Sequence, residues 1–150
     1  MRYKKIPLHF YYFLMNKAVG QVCSSVSDSH PTVYEQFPPQ LLESNDGKLS
    51  DFLIRPENKI EKTYFVRLKN SVTKNQRQEY CRLAESGLLL PAEKKAPEQN
   101  SAGAKIEWLG ATECKITVTE GKFHEIKRIF RALGNEVTYL KRIRFAALEL

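Results

Sequence analysis

Glu120-Gly-Lys-Phe-His-Glu-Ile-Lys-Arg-Ile-Phe-Arg-Ala-Leu-Gly-Asn-Glu-Val-Thr-Tyr-Leu-Lys-Arg-Ile-Arg-Phe145 reads as a helix with two working faces followed by a basic strand. Phe123, Ile126, Ile129, Phe130 and Leu133 recur at helical spacing and form an apolar stripe that must dock on a core. His124, Lys127, Arg128 and Arg131 share a second, cationic face through the same i, i+3, i+4, i+7 geometry. Gly134 supplies the stop, and Val137 to Phe145 continues extended with Lys141, Arg142 and Arg144 close together. A helix that packs with one side and offers positive charge with the other suits a polyanion.

Working outward, the chain of 150 residues fits a single domain, read as residues 1–150, with enough apolar content to bury a core. Its net charge of +7 favours a nucleic acid or an anionic surface as partner, although charge alone equally fits solvated lysines. Cys23, Cys81 and Cys114 are odd in number and far apart. They form no metal-ligand spacing and no disulfide framework, so no metal is expected and the expected compartment is the reducing cytoplasm.

Arg2, Lys4 and Lys5 precede an apolar run from Ile6 to Met15, which resembles a secretory signal. His9 and the tyrosines dilute that run, so Phe10 to Met15 is better read as a buried strand. No segment is long enough to span a membrane as a helix.

Pro31 begins a short helical turn that Pro38-Pro39 ends, and Asn45-Asp46-Gly47 marks a tight turn. Lys62 to Leu68 alternates, with Tyr64, Val66 and Leu68 on one face. Thr73 and Gln76 fit a capping box ahead of a helix carrying Tyr80, Leu83 and Ala84, and Gly87 closes that helix. Leu88 to Leu90 reads as a short strand. The Pro-, Ser-, Lys- and Glu-rich stretch from about Glu93 to Ala104 reads as a mobile loop. Ile106 with Trp108, and Ile116 with Val118, predict the inward faces of a hairpin around Gly110. About seven strands and three helices with mostly short connections give an α+β domain. It is built on a largely antiparallel mixed sheet with flanking helices.

Five ordered motifs resemble the bacterial RNA pseudouridine synthases that act on single sites in ribosomal RNA. Tyr12-Phe-Leu-Met-Asn-Lys17 with Gly20 is similar to their opening strand and Asn-Lys-Pro-x-Gly loop, with Ala18 where proline is usual. His30-Pro-Thr-Val-Tyr34 looks like the next motif, Ser44-Asn-Asp-Gly47 resembles their Thr-Asn-Asp-Gly turn, and Lys62-Thr-Tyr64 their Lys-Thr-Tyr. Glu120 to Arg144 is similar to their third motif and the strand after it.

The resemblance implies a pseudouridine-synthase-like fold, partly truncated, without the separate N-terminal RNA-binding domain common in the family. It implies a ribosomal RNA substrate, no cofactor, and a monomer. It gives Tyr64 the role of the aromatic stacked on uracil, Lys127 that of the cation paired with the catalytic Asp, and Leu140 that of a pocket-lining apolar residue. Arg131 on the helix, and Lys141, Arg142 and Arg144 on the strand, become a phosphate-contacting set, and Arg128 either joins it or substitutes for Lys127 in the pairing with the Asp.

The family's nucleophilic Asp lies in a Gly-Arg-Leu-Asp motif between the His-Pro-Thr-Val region and the Thr-Asn-Asp-Gly turn. Here that interval is Tyr34 to Glu43 and holds no such motif; the three aspartates of the chain are Asp28, Asp46 and Asp51. Three expectations follow: a synthase-family member with impaired or absent activity, a non-catalytic RNA-binding protein that keeps the basic cleft, or a decayed gene product.

Overall fold

The computed structural model describes Gly20, Gln21, His30–Thr32, Glu35, Arg55–Glu93 and Ala96–Glu149. The chain divides into two compact units, Met1–Asp51 and Phe52–Leu150. In the first, the Thr32 amide donates to Glu35 Oε1 at 2.7 Å. The opening strand, the first helical turn beyond these residues, the Asn45-Asp46-Gly47 turn and all three aspartates lie outside the described residues.

In the second unit a short 3-10 turn, Pro56–Asn58, leads into β1 (Lys62–Leu68) and then α1 (Lys74–Ser86). A pair of short strands follows, β2 (Leu89–Leu90) and β3 (Gln99–Asn100), then the hairpin of β4 (Lys105–Trp108) and β5 (Glu113–Val118). The last elements are α2 (Glu125–Ala132), β6 (Val137–Phe145) and β7 (Leu148–Glu149). Five strands form one sheet in the order β4-β5-β1-β6-β7, and every pairing in it is antiparallel.

β1 is central because its alternation gives one face to the core. Tyr64, Val66 and Leu68 point that way, and Tyr64 and Val66 stand opposite Ile116 and Cys114 of β5. Val66, Cys114 and Ile116 are completely buried. The hairpin pairs Ile106 with Ile116 and Trp108 with Cys114, as the alternation predicts.

α1 and α2 each end on recognisable chemistry. Thr73 and Gln76 form the expected capping box at the start of α1, and Gly87 ends it with φ of 84°. A Cβ at Gly87 would come within 2.7 Å of the Ser101 carbonyl oxygen, so a side chain is excluded there twice over. α2 ends with the amides of Gly134 and Asn135 donating back to Arg131 O and Phe130 O, while Gly134 takes φ of 79°. That double bond is the Schellman arrangement.

Ile126, Ile129, Phe130 and Leu133 are buried as the helical spacing predicts, packing with Val66, Val118 and Leu90 in one core. Phe123 departs from the stripe: it is 41% exposed. The reason is local. His124 adopts the left-handed conformation (φ 47°, ψ 32°), so the helix begins only at Glu125 and Phe123 lies before it. Its ring instead stacks on the His124 imidazole at 3.9 Å.

The stretch from Glu93 to Ala104 also departs from a plain loop. Glu93 bridges Ala96, β3 pairs with β2, and Ser101 and Ala104 are buried. Ser101 ties down Leu88 through its amide (2.8 Å) and hydroxyl (3.0 Å). Backbone pairing across Gly87 overrides the loop-forming composition.

Candidate nucleic-acid pocket

The Glu120–His124 turn, the start of α2 and the middle of the sheet enclose a pocket of about 200 Å³. Tyr64 from β1, Leu140 from β6, Val118 from β5 and Ile126 from α2 supply its aromatic and apolar walls. Lys122, His124, Glu125 and Lys127 supply its polar ones. A space of this size, with one aromatic ring and apolar floor, suits a single flat ring rather than a length of polymer.

Tyr64 is half-buried and stands directly opposite Arg142 in the β1–β6 ladder. Burial raises its phenol above the ordinary tyrosine range, with Arg142 pulling partly back, so the ring stays neutral at physiological pH. Leu140 is opposite Val66 and remains 37% exposed, a large apolar side chain at the pocket's rim. Lys127 is exposed on the first turn of α2. Tyr64, Lys127 and Leu140 thus border one space, although 63 positions separate the first two in sequence (127 − 64).

Lys127 also borders a second, more open hollow of about 530 Å³, with Lys69, Arg131, Glu93 and Glu136. Glu93 is the organiser there: its Oε1 lies 3.2 Å from His124 Nδ1 and 3.9 Å from Arg131. The bond from His124, with Arg131 and Lys127 nearby, holds the Glu93 carboxyl below its ordinary range. Asn135 braces the hollow by accepting from the Asn70 amide (3.1 Å) and donating to the Asn70 carbonyl (3.0 Å).

Arg128 corrects the expectation of a four-membered cationic face. It is completely buried. Its guanidinium donates to Pro97 O at 2.6 Å, Pro91 O at 2.9 Å, and Leu90 O and Phe123 O at 3.4 Å. The planar fork of donors reaches carbonyl oxygens at both ends of the 91–97 segment. The residue therefore fastens that segment to α2 and is not presented to a phosphate.

The strand row is divided as well. Arg142 shares Tyr64's register, whereas Lys141 pairs with Phe65 and Arg144 with Thr63, positions on the opposite face of β1. A register shift between Thr63 and Tyr64 breaks the alternation that would have put Arg142 and Arg144 on one side. Arg144 instead donates to Ala146 O (2.9 Å) and approaches Glu61 (3.4 Å). Arg142 and Lys62 both lie over the Phe145 ring, at 5.0 and 5.6 Å. Arg131 stays exposed on the α2 surface.

Glu120, Lys122 and Glu125 did not emerge from the motif reading. Their signal was the pair of acidic residues inside an otherwise cationic run. Glu120 accepts from Lys122 Nζ at 2.5 Å and from the Ala102 amide at 2.8 Å. Burial works against its charge, but these donors hold its carboxyl below the usual range. Glu125 is 6% exposed, and desolvation together with the Glu120 charge pushes it up to about 7. Among the described residues no group of three His, Cys, Asp or Glu side chains is arranged to hold a metal, and no helix is long and apolar enough to cross a membrane.

Comparison with known proteins gives this pocket a context. No family model matches the chain. Over 87% of its length it is 34% identical to the ribosomal small subunit pseudouridine synthase A of Haemophilus influenzae, spanning 61% of that protein. It is 31% identical to the protein of the same name from Escherichia coli K12, over 93% of the chain and 64% of the relative. A crystal structure of a pseudouridylate synthase superposes with a TM-score of 0.74 at 32% identity, covering 87% of the chain and 60% of the other. The chain thus spans a little over three fifths of the length of these relatives.

Proposed function

We propose that this chain, homologous to pseudouridine synthases in sequence and fold, belongs to that family, binds ribosomal RNA and holds an extruded uracil against Tyr64. As written, the chain does not complete the isomerisation. The observation that carries the first half is the shared pocket of Tyr64, Lys127 and Leu140. The one that carries the second half is the absence of a Gly-Arg-Leu-Asp segment from the sequence.

Converting uridine to pseudouridine breaks the N-glycosidic bond, turns the uracil and rejoins it through carbon. The base must first leave its stack, which costs a few kcal/mol that a pocket has to offset. A neutral Tyr64 ring offers a stacking face, and Leu140, Val118 and Ile126 offer an apolar floor. Lys127 and Arg131 border the hollow that adjoins the pocket, and their charge suits a flanking phosphate. Neither Tyr64 nor Lys127 can replace a carboxylate acting at the sugar or base. Loss of such a group costs several orders of magnitude in rate.

The binding half is tested with ribosomal RNA fragments and the full chain. Tyr64→Ala should weaken binding of RNA about five- to one-hundred-and-sixty-fold, the range for losing one base–aromatic stack. Equal affinity for the two proteins would remove the pocket reading. A decayed gene product is the alternative, and a chain that binds no RNA would favour it.

A further inference from the structure

We propose that Glu125 is the residue that reads the polar edge of the captured base, in its protonated form, so that base capture is switched by pH. This rests on the uracil-pocket reading above and deepens it. Glu125 is the most buried of the polar residues lining the pocket, and it sits on the first residue of α2 beside Lys127 and across from Tyr64.

The carboxyl does not stand alone. Glu120, on the turn before α2, is near enough for its charge to act on Glu125, and Glu120 is itself engaged by Lys122 Nζ and the Ala102 amide. Two neighbouring carboxyl groups cannot both ionise cheaply. Glu120 is held by the Lys122 ammonium and the Ala102 amide and Glu125 is the more buried of the two, so the proton belongs to Glu125. Lys62 from β1, with Arg142 from β6 beside it, and Lys122 from the turn act in the other direction. His124 and Lys127 complete the charged lining.

The chemistry of the base matches one protonation state. Uracil presents an N3–H donor between two carbonyl acceptors. A neutral carboxyl offers one acceptor and one donor, and so pairs with N3–H and a neighbouring carbonyl together. A carboxylate offers acceptors only and would face the base carbonyl with like charge. A half-turn of uracil about its N3–C6 axis exchanges the two carbonyls and leaves N3–H in place. The same pairing therefore serves the base before and after the turn that pseudouridine formation requires.

The test compares a short single-stranded RNA carrying one uridine with the same RNA carrying an abasic site, using the full chain. The ratio of the two dissociation constants isolates base capture. In the parent chain it should fall about tenfold between about pH 6 and about pH 8, as expected for loss of one proton. Glu125→Gln keeps a donor and an acceptor and should hold the ratio constant across that range. Glu120→Gln should move the midpoint to lower pH. A pH-independent ratio in the parent chain, or the parent's profile persisting in Glu125→Gln, overturns the assignment to Glu125. If Tyr64→Ala lowers the ratio in that same experiment, the pocket reading survives that loss. A ratio of one in every protein, with no response to Tyr64→Ala, overturns both. Should Glu125→Gln fail to fold, the parent and Glu120→Gln profiles decide alone.

Discussion

The Arg128 guanidinium on α2 donates to the Pro97 carbonyl oxygen at 2.6 Å, and no part of the side chain is exposed to solvent. This contact turns what looks like an RNA-facing arginine into the fastener of the segment leading to β3. Replacing Arg128 with Met should destabilise the domain by about 3–5 kcal/mol, the range for removing one partner from a buried charged network. Lys should not rescue it, because one ammonium cannot meet carbonyls spread around a planar fork. Urea unfolding measures both variants. A loss under about 1 kcal/mol would mean the carbonyls find other partners.

The apolar stripe makes a paired prediction. Phe130 is completely buried and Phe123 is 41% exposed. Phe130→Ala should cost roughly 3–5 kcal/mol. Phe123→Ala should stay within about 1 kcal/mol of the parent. Equal losses would return Phe123 to the core.

Glu125 sets the pH dependence of stability. Its carboxyl titrates near 4.5 when unfolded and at about 7 when folded, raised by desolvation and then by Glu120. The folded state therefore keeps the proton longer. Its contribution is complete below about pH 4.5, falls as pH rises towards 7, and is lost above that, a change of about 3 kcal/mol. Glu79, Glu93, Glu120 and Glu136 are shifted downward and act with the opposite sign at more acidic pH. Urea midpoints at pH 5 and pH 8 should differ in the parent chain and converge in Glu125→Gln. A parent midpoint that rises between those values would contradict the assignment.

RNA binding should weaken with salt, and the residues that carry this are set by which cations are exposed. Changing Lys127, Arg131 and Arg142 together to Ala should flatten the plot of log affinity against log salt by up to about two units. Changing Lys141 and Arg144, which the register puts on the sheet face away from Tyr64, should change it less. Equal effects from the two sets would mean RNA wraps the sheet edge instead.

Much of the fold was legible because it depends on local rules. The stripe of Ile126, Ile129, Phe130 and Leu133, the Thr73–Gln76 cap and the Gly134 stop are written within a turn or two of themselves. The pocket trio was legible only through motif resemblance, since nothing local joins Tyr64 to Lys127. What escaped has a common cause. The acceptors that bury Arg128 on β2 and beyond lie 31 to 38 positions away, at Pro97, Pro91 and Leu90. A single left-handed residue, His124, took Phe123 off the helix, and one register shift divided Arg142 from Arg144. Glu125 gained its character from Glu120 and from burial, neither of which shows in a charge count.

The most direct measurement is tritium release from ribosomal RNA labelled at uracil C5, incubated with the full chain under conditions where binding is saturated. Rejoining through C5 expels that hydrogen, so release counts completed isomerisations. Because no Gly-Arg-Leu-Asp segment lies between Tyr34 and Asn45, the expected result is bound RNA with release no higher than in a protein-free blank. Inserting that segment between Pro39 and Leu41 should then restore release. Sustained release by the chain as written would contradict the account and direct attention to Asp46 and Asp51 as the source of the missing carboxylate.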